Sequence, residues 1–328
     1  MATIPSVILE WMGTTTTSNT HSAQITAPKP WLVVVTGPTA SGKTSLAINL
    51  AQSLQTSILS FDSRQFYSEM PIGTAQPIER ERQNVFHWGI GARSIDSPYS
   101  AGAFQRDAID YLKHLFESQS VVVAVGGSTL YYDALCHGLD NFPDIGEETK
   151  TQVAQIFEHQ GLQGWRDALK KLDPATFSNI DLQNPRRLQR ALEVCVESGK
   201  PYASFLNMGS QELPYHTLSI APIIERKALY ERIDQRVLQM VANGLEEEAR
   251  GLYEKRHLST LDTVGYREWW AYFEGQCERE EVISLIQRNT RRYAKRQLTW
   301  FRKKADLHWM DFGQTQDILN FIHENIAG

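Results

Sequence analysis

The sequence predicts an α/β fold, a doubly wound parallel sheet with a helical insertion, on three observations. Leu32 to Val35 and Val121 to Val125 are short, uninterrupted apolar runs, as expected of strands covered on both faces. Each run leads through glycine into helical periodicity, so strands and helices alternate. From about Asn141 to Leu213 strand signals disappear and helical ones take over. The 328 residues leave room for about two domains with an ample core. Hydrophobic content of 41% and charged content of 22% are those of a soluble globular chain, and no apolar run approaches a membrane span of ~20 residues. Three scattered cysteines, Cys136, Cys195 and Cys277, form no C-x-x-C pair. This argues for a reducing, cytoplasmic compartment without a disulfide framework or structural zinc. A net charge of −5 does not by itself suggest a nucleic-acid binder.

Taken in order, Met1 to Pro30 is rich in Thr and Ser without a sustained apolar face, and reads as a disordered leader. Glu10, and the lack of Lys or Arg before Lys29, oppose an organelle transit peptide. The Leu32 to Val35 strand runs into Gly37-Pro38-Thr39-Ala40-Ser41-Gly42-Lys43-Thr44, which fits G-x-x-x-x-G-K-[ST], and Leu46, Ala47 and Leu50 follow at helical spacing. Strand, loop and helix are the context of a phosphate loop: successive backbone N–H groups converge on an anion at the helix N-terminus. Lys43 can bridge terminal phosphate oxygens, and the Thr44 hydroxyl can ligate Mg²⁺. The fold class is therefore P-loop NTPase-like.

Thr56 to Phe61 is a short strand ending in Asp62, placing a carboxylate at the ligand crevice. Asp62 has three possible roles: an outer Mg²⁺ partner, a general base, or a turn former. Pro71 to Pro77 is a loop, and Phe104 to Glu117 is helical. The Val121 to Val125 strand ends in Gly126-Gly127-Ser128, where an ordinary NTPase would carry its Mg²⁺-binding Asp. Asn184-Pro185 opens a helix that ends at Gly199. Arg186, Arg187 and Arg190 sit near its N-terminus, where they oppose the helix dipole, so a use for the positive charge is expected; Leu188, Leu192 and Cys195 form its core face. The next strand spans Thr217 to Ala221, followed by one long helical pattern from Arg226 to Leu252 and by a loop, Thr263 to Glu268, entering a helix. Between Arg288 and Lys304, helical projection gathers Arg288, Arg291, Arg292, Lys295, Arg296, Arg302 and Lys303 on one face without acids. Tyr293, Ala294, Leu298, Trp300 and Phe301 take the other, buried face. Such a face in an acidic protein suggests contact with a nucleic-acid backbone, here by Arg292 and Arg296 among others.

GPTASGKT at Gly37, DSRQ-x-Y at Asp62, IGTAQP at Ile72, VGGSTLYYDAL at Val125, NPRRLQRALEV at Asn184, VGYRE at Val264 and TRRYAKRQLTWF at Thr290 occur in this order. From Trp31 to the C-terminus the chain resembles the tRNA dimethylallyltransferase (tRNA isopentenyltransferase) family, of the bacterial type, since no Cys/His pairing follows Leu307. The resemblance implies transfer of a dimethylallyl group from dimethylallyl diphosphate to N6 of the adenosine 3′ of the anticodon (position 37), releasing diphosphate. The loop from Gly37 to Thr44 would then hold a prenyl diphosphate, although its pattern is that of an ATP site, with Mg²⁺ near Thr44. Asp62 would be the general base, and Arg226, just after IAPIIE, would help Thr44 and Lys43 to neutralise the leaving group. Asp62-Ser63-Arg64-Gln65, Ser128 and Arg186-Arg187-Leu188-Gln189-Arg190 would contact tRNA. Residues 141–213 would form the insertion that grips the anticodon stem–loop, and 31–140 with 214–328 the catalytic core of a monomer that does not engage a membrane. Pro71 and Gln76 depart from the family's Asp and Lys, and Ser128 from its usual Thr. A small-molecule P-loop kinase or NTPase is the alternative reading of the same phosphate loop.

Overall fold

The computed structural model describes residues 28–206 and 212–326, so nearly all of the expected leader lies outside the described residues. In chain order the elements are β1 (Trp31–Thr36), α1 (Lys43–Ser53), β2 (Ile58–Ser60), α2 (Glu79–Arg82), β3 (His87–Trp88), α3 (Ala101–Phe116), β4 (Val121–Gly126), α4 (Thr129–Cys136), α5 (Glu147–Leu172), α6 (Pro174–Asn179), α7 (Pro185–Ser198), β5 (His216–Pro222), α8 (Arg226–Ala242), α9 (Leu245–Gly251), α10 (Trp269–Phe273), α11 (Arg279–Phe301), β6 (Leu307–Met310) and α12 (Thr315–Ile326).

The strands form one parallel sheet in the order β3-β2-β4-β1-β5-β6. β1 is central, with Val33 paired to Val123 of β4 on one side and to Leu218 of β5 on the other. The chain first winds away from β1 on the β4 side and later returns on the β5 side. That reversal opens a crevice at the C-terminal ends of β1, β4 and β5. Burial on both faces explains the unbroken apolar strands. Leu32, Val34, Val122 and Ala124 pack on Phe104, Tyr132 and Phe301, while Val33, Val35, Val123 and Val125 pack on Leu46, Leu50, Ile318 and Ile322.

Besides a small cluster of Leu229, Ile233 and Ala294, two further apolar clusters lie off the sheet. One joins α8, α9, α10 and α11 through Val237, Leu245, Trp269 and Ile286. The other joins α5 and α7 through Val153, Trp165, Leu169, Leu188, Leu192 and Cys195, and shares no residue with the sheet cores. Asn184 caps α7 as its sequence indicates, its side chain accepting from Arg187 N, and Gly199 ends the helix.

The structure differs from the expected elements at three places. The edge strands β3 and β6 carry too few residues to show a strand period. The continuous helix expected from Arg226 to Leu252 is two helices, broken at Asn243-Gly244, a turn-forming pair. α11 also starts at Arg279, well before Arg288.

Candidate functional site

The phosphate loop connects β1 to α1. Gly37 has φ 139°, and a Cβ there would lie 2.5 Å from Pro222 Cδ of β5, so only glycine fits. Gly42 precedes the first turn of α1 and offers no capping side chain, which leaves the first N–H groups of the helix for an external acceptor. Ser41 Oγ is buried without a hydrogen-bond partner. The Lys43 ammonium rests on Pro38 O at 2.5 Å. Burial pulls Lys43 down to about 7; Asp62 opposes this fall, and Arg236 adds to it. A loop with unmet donors and a partly discharged lysine is built to receive an anion.

Thr39, Ala40, Lys43 and Thr44 line one side of a cleft of about 430 Å³ at the sheet crevice. Asp62, Ser63, Arg64 and Gln65, which follow β2, line another. Among the described residues, only two acids line this cleft, Asp62 and Asp262. Asp262 is paired with Arg186 at 2.8 Å and with Arg267 at 3.3 Å. Among the described residues, Asp62 accepts one bond, from Arg64 N at 3.1 Å, through Oδ1. Its other oxygen is thus available to a substrate proton. Ser128 is buried, accepts from Ser63 N at 2.8 Å and donates to Ser63 Oγ at 3.0 Å, so it positions the Asp62 loop from beneath.

The IGTAQP and VGYRE motifs meet at the far end of the cleft. Glu248 of α9 accepts from Ile72 N and Gly73 N, each at 2.8 Å, and from Tyr266 Oη at 2.6 Å. Burial and the neighbouring Glu248 push the Tyr266 phenol up, so it stays a donor. Gln65 Nε2 donates to Thr74 O and Ala75 O, and Gln76 Nε2 to Tyr67 O at 2.7 Å. Gln76 therefore ties its loop back to the segment after the Asp62 turn.

Several expected site residues lie elsewhere. Arg226 sits at the exposed start of α8, its guanidinium donating to Tyr230 Oη at 3.1 Å, and it does not line the cleft. Arg236, ten residues on along the same helix, does. Burial lowers its pKa against the pull of Asp62, yet an arginine stays charged at neutral pH. Leu188 is fully buried in the α5–α7 cluster, where it supplies packing and no surface contact. Gln189 donates to Glu193, Arg190 lies over the Phe142 ring, and Arg187 is exposed. Of this group only Arg186 reaches the cleft.

The basic face of α11 also reads differently in three dimensions. Arg291 is paired with Asp234 of α8, so one of the seven charges is neutralised across helices. Arg292, Lys295, Arg296 and Lys303 flank a surface groove together with Thr299 and Trp300. Arg296 lines both this groove and the cleft. Tyr293, expected in the core, is 37% exposed and lines the cleft; burial of its hydroxyl and the charge of Asp62 push its pKa up. Gln297 was not singled out by sequence, although it lies inside the TRRYAKRQLTWF motif. It is buried, accepts from Thr39 N at 3.0 Å and donates to Gly127 O at 2.8 Å, tying α11 to the phosphate loop and to the end of β4.

No group of three His, Cys, Asp or Glu that could hold a metal exists among the described residues. The Thr44 hydroxyl, near Asp62 in the same cleft, suits a hard cation that brings most of its oxygen ligands with it, as Mg²⁺ does on a diphosphate. The residues fit such a metal only as a companion of the anion.

A family model described as IPP transferase matches residues 65–304. The chain is 45% identical over 297 residues to the tRNA dimethylallyltransferase of Christiangramia forsetii, covering 90% of this chain and 98% of that one. It is 42% identical to the enzyme of the same name from Cytophaga hutchinsonii, covering 90% and 97%. Among solved structures it is similar to the full-length tRNA isopentenylpyrophosphate transferase of Bacillus halodurans, with a TM-score of 0.68, 34% identity and coverage of 91% and 97%. A eukaryotic dimethylallyltransferase captured acting on tRNA shares the fold, with a TM-score of 0.75 at 23% identity over 86% of this chain and 74% of that one. The six-stranded sheet and its loop are thus the P-loop NTPase-like fold of these neighbours.

Proposed function

We infer the division of labour in the cleft from one premise: the chain belongs to the IPP transferase family, and its activity is that of a tRNA dimethylallyltransferase. We propose that the donor is dimethylallyl diphosphate and the acceptor N6 of the adenosine 3′ of the anticodon. The observation that carries this reading is the polarity of one cleft. Lys43, Arg236 and Asp62 lie within electrostatic reach of one another beside the phosphate loop, while Val237, Met240, Val264 and Ile286 line the same cleft from one apolar cluster. A diphosphate with a short apolar tail matches that gradient.

In the reaction, the bond between the allylic carbon and the diphosphate oxygen breaks, and a bond from N6 to that carbon forms. The electron pair leaves with the diphosphate. The N–H groups at the start of α1, with Lys43 and Arg236, stabilise the charge that develops there. Asp62 takes the N6 proton through the oxygen that Arg64 N does not occupy. Mg²⁺ on the diphosphate, held at the Thr44 hydroxyl, would supply further neutralisation. The adenine has to leave its stack to reach Asp62, and the Tyr293 ring at the cleft offers it an aromatic face. We also propose that residues 141–213 grip the anticodon stem–loop as one unit; their own apolar cluster and Arg186 at the cleft support this. Among the described residues, no helix is long and apolar enough to cross a membrane.

The test is incubation with Mg²⁺, labelled dimethylallyl diphosphate and unmodified tRNA. Label should enter the tRNA and be lost in Asp62→Ala, while inorganic diphosphate still binds that variant. ATP turnover without prenyl transfer would instead establish the kinase or NTPase reading.

A further inference from the structure

The apolar end of the cleft has a built length. Helices α8 and α11 run side by side, tied by Arg291 to Asp234 and by Gln287 Nε2 to Asp234 O at 3.2 Å. At the phosphate-loop end, Ile233 packs with Ala294 beside Ala40. From Ile233 to Met240 the same face of α8 advances about 10 Å, at the rise of an α-helix. Val237, between them, is buried and lines the cleft. A chain leaving the diphosphate along this wall therefore meets Val237 first and Met240 last. Met240 packs in one apolar cluster with Val264, Ile72 and Tyr266, and it lines the cleft together with Val264 and the Gly73-Thr74 turn, which Glu248 holds in place through Gly73 N and Tyr266 Oη. Gly73 itself has no room for a side chain, since a Cβ would lie 2.5 Å from the Tyr266 ring, so the turn is packed tightly against that ring.

We propose that Met240, backed by Val264, is the gauge that limits the donor to a single isoprene unit. The inference rests on the reading that the cleft holds a prenyl diphosphate. The chemistry is unchanged by chain length, since the same carbon–oxygen bond breaks and the same bond to N6 forms. Only the space beyond the first isoprene unit differs. A flexible thioether is suited to the role, because it can fill an irregular end without a polar atom that needs a partner.

The experiment is competition between dimethylallyl and geranyl diphosphate for one tRNA, read as the ratio of the two products. The ratio comes from the same folded molecules, so it is insensitive to the fraction of a variant that folds. Wild type should yield the dimethylallyl product almost exclusively. Met240→Ala should shift the ratio toward geranyl by on the order of tenfold or more, the scale on which a hydrophobic pocket discriminates a few methylenes. Val264→Ala, which opens the same end from the facing loop, should shift it in the same direction and stands in if Met240→Ala does not fold. Unchanged ratios in both variants would overturn the gauge while leaving the activity intact. Absence of dimethylallyl transfer by wild type would instead overturn the reading beneath it.

Discussion

Lys43 carries the phosphate loop's one side-chain cation, and the fold brings its titration close to neutral pH. Burial brings its ammonium down to about 7 in the free protein. A bound diphosphate restores the charge and so raises that value. Between the two values, binding takes up a proton; well below 7 the lysine is already charged, and none is taken up. Affinity for diphosphate should therefore fall as pH rises above about 7, and titration calorimetry at about pH 8 in buffers of different ionisation heat should show net proton uptake. Lys43→Arg, which stays charged, should lack the enzyme's share of that uptake; equal uptake in both proteins would refute the assignment. Gln297 makes a second prediction. Gln297→Ala leaves Thr39 N and Gly127 O unpaired in a buried place, at a cost of roughly 1–3 kcal/mol. The Km for the prenyl diphosphate should rise about tenfold or more, while affinity for tRNA changes little. Sequence showed Lys43 because the phosphate loop is a local backbone pattern, complete within eight residues. It did not show Gln297 or Arg236, since each acts across a long stretch of chain and reads alone as an ordinary helical polar residue. The place of Arg226 next to IAPIIE points to it in sequence, but the cleft faces a later turn of the same helix.

At the scale of elements, the buried faces were legible wherever the hydrophobic period ran long enough. β1, β4, α3 and α7 were readable for this reason, and β3 and β6 were too short to carry a period. The apolar face of α7 has a testable consequence. Leu188→Ala should destabilise the α5–α7 unit by about 2–5 kcal/mol, as expected for a truncated leucine in a packed core. Hydrogen exchange should show this loss in α5 and α7 and leave β1 and β4 protected, with diphosphate binding intact. Equal loosening of both regions would mean that the two cores unfold as one. The junction of the Ile72 loop with Tyr266 gives a stricter test. Gly73→Ala drives a methyl group into the Tyr266 ring, so the loop and that ring must separate. Transfer should then fall with a clear loss of thermal stability, whereas Gln76→Lys, whose ammonium can still donate to Tyr67 O, should cost little stability in the same melting experiment.

Across the whole molecule, a net charge of −5 coexists with a basic strip running from Arg186 through Arg296 to Lys303. Charge of one sign on one side steers an anionic partner even when the total is negative. Every cation removed from a bound phosphate should lower the salt slope of tRNA binding by about 0.7–0.9. Neutralising Arg292 and Arg296 together should thus reduce it by roughly one to two, and an unchanged slope would remove α11 from the tRNA interface. The strip was partly legible in sequence, but its pairing was not: Arg291 to Asp234 and Arg186 to Asp262 both join residues more than fifty positions apart. That distance along the chain also sets an order of events during synthesis. β1 emerges from the ribosome early, yet its flanking strands β4 and β5 follow only much later, and the clamp on Thr39 arrives 258 residues after that threonine. A chain halted before α11 carries the entire phosphate-loop motif but not the side chain that fixes it. Prematurely terminated products should therefore hold the diphosphate more weakly, so that an unfinished enzyme competes less with the finished one for the donor.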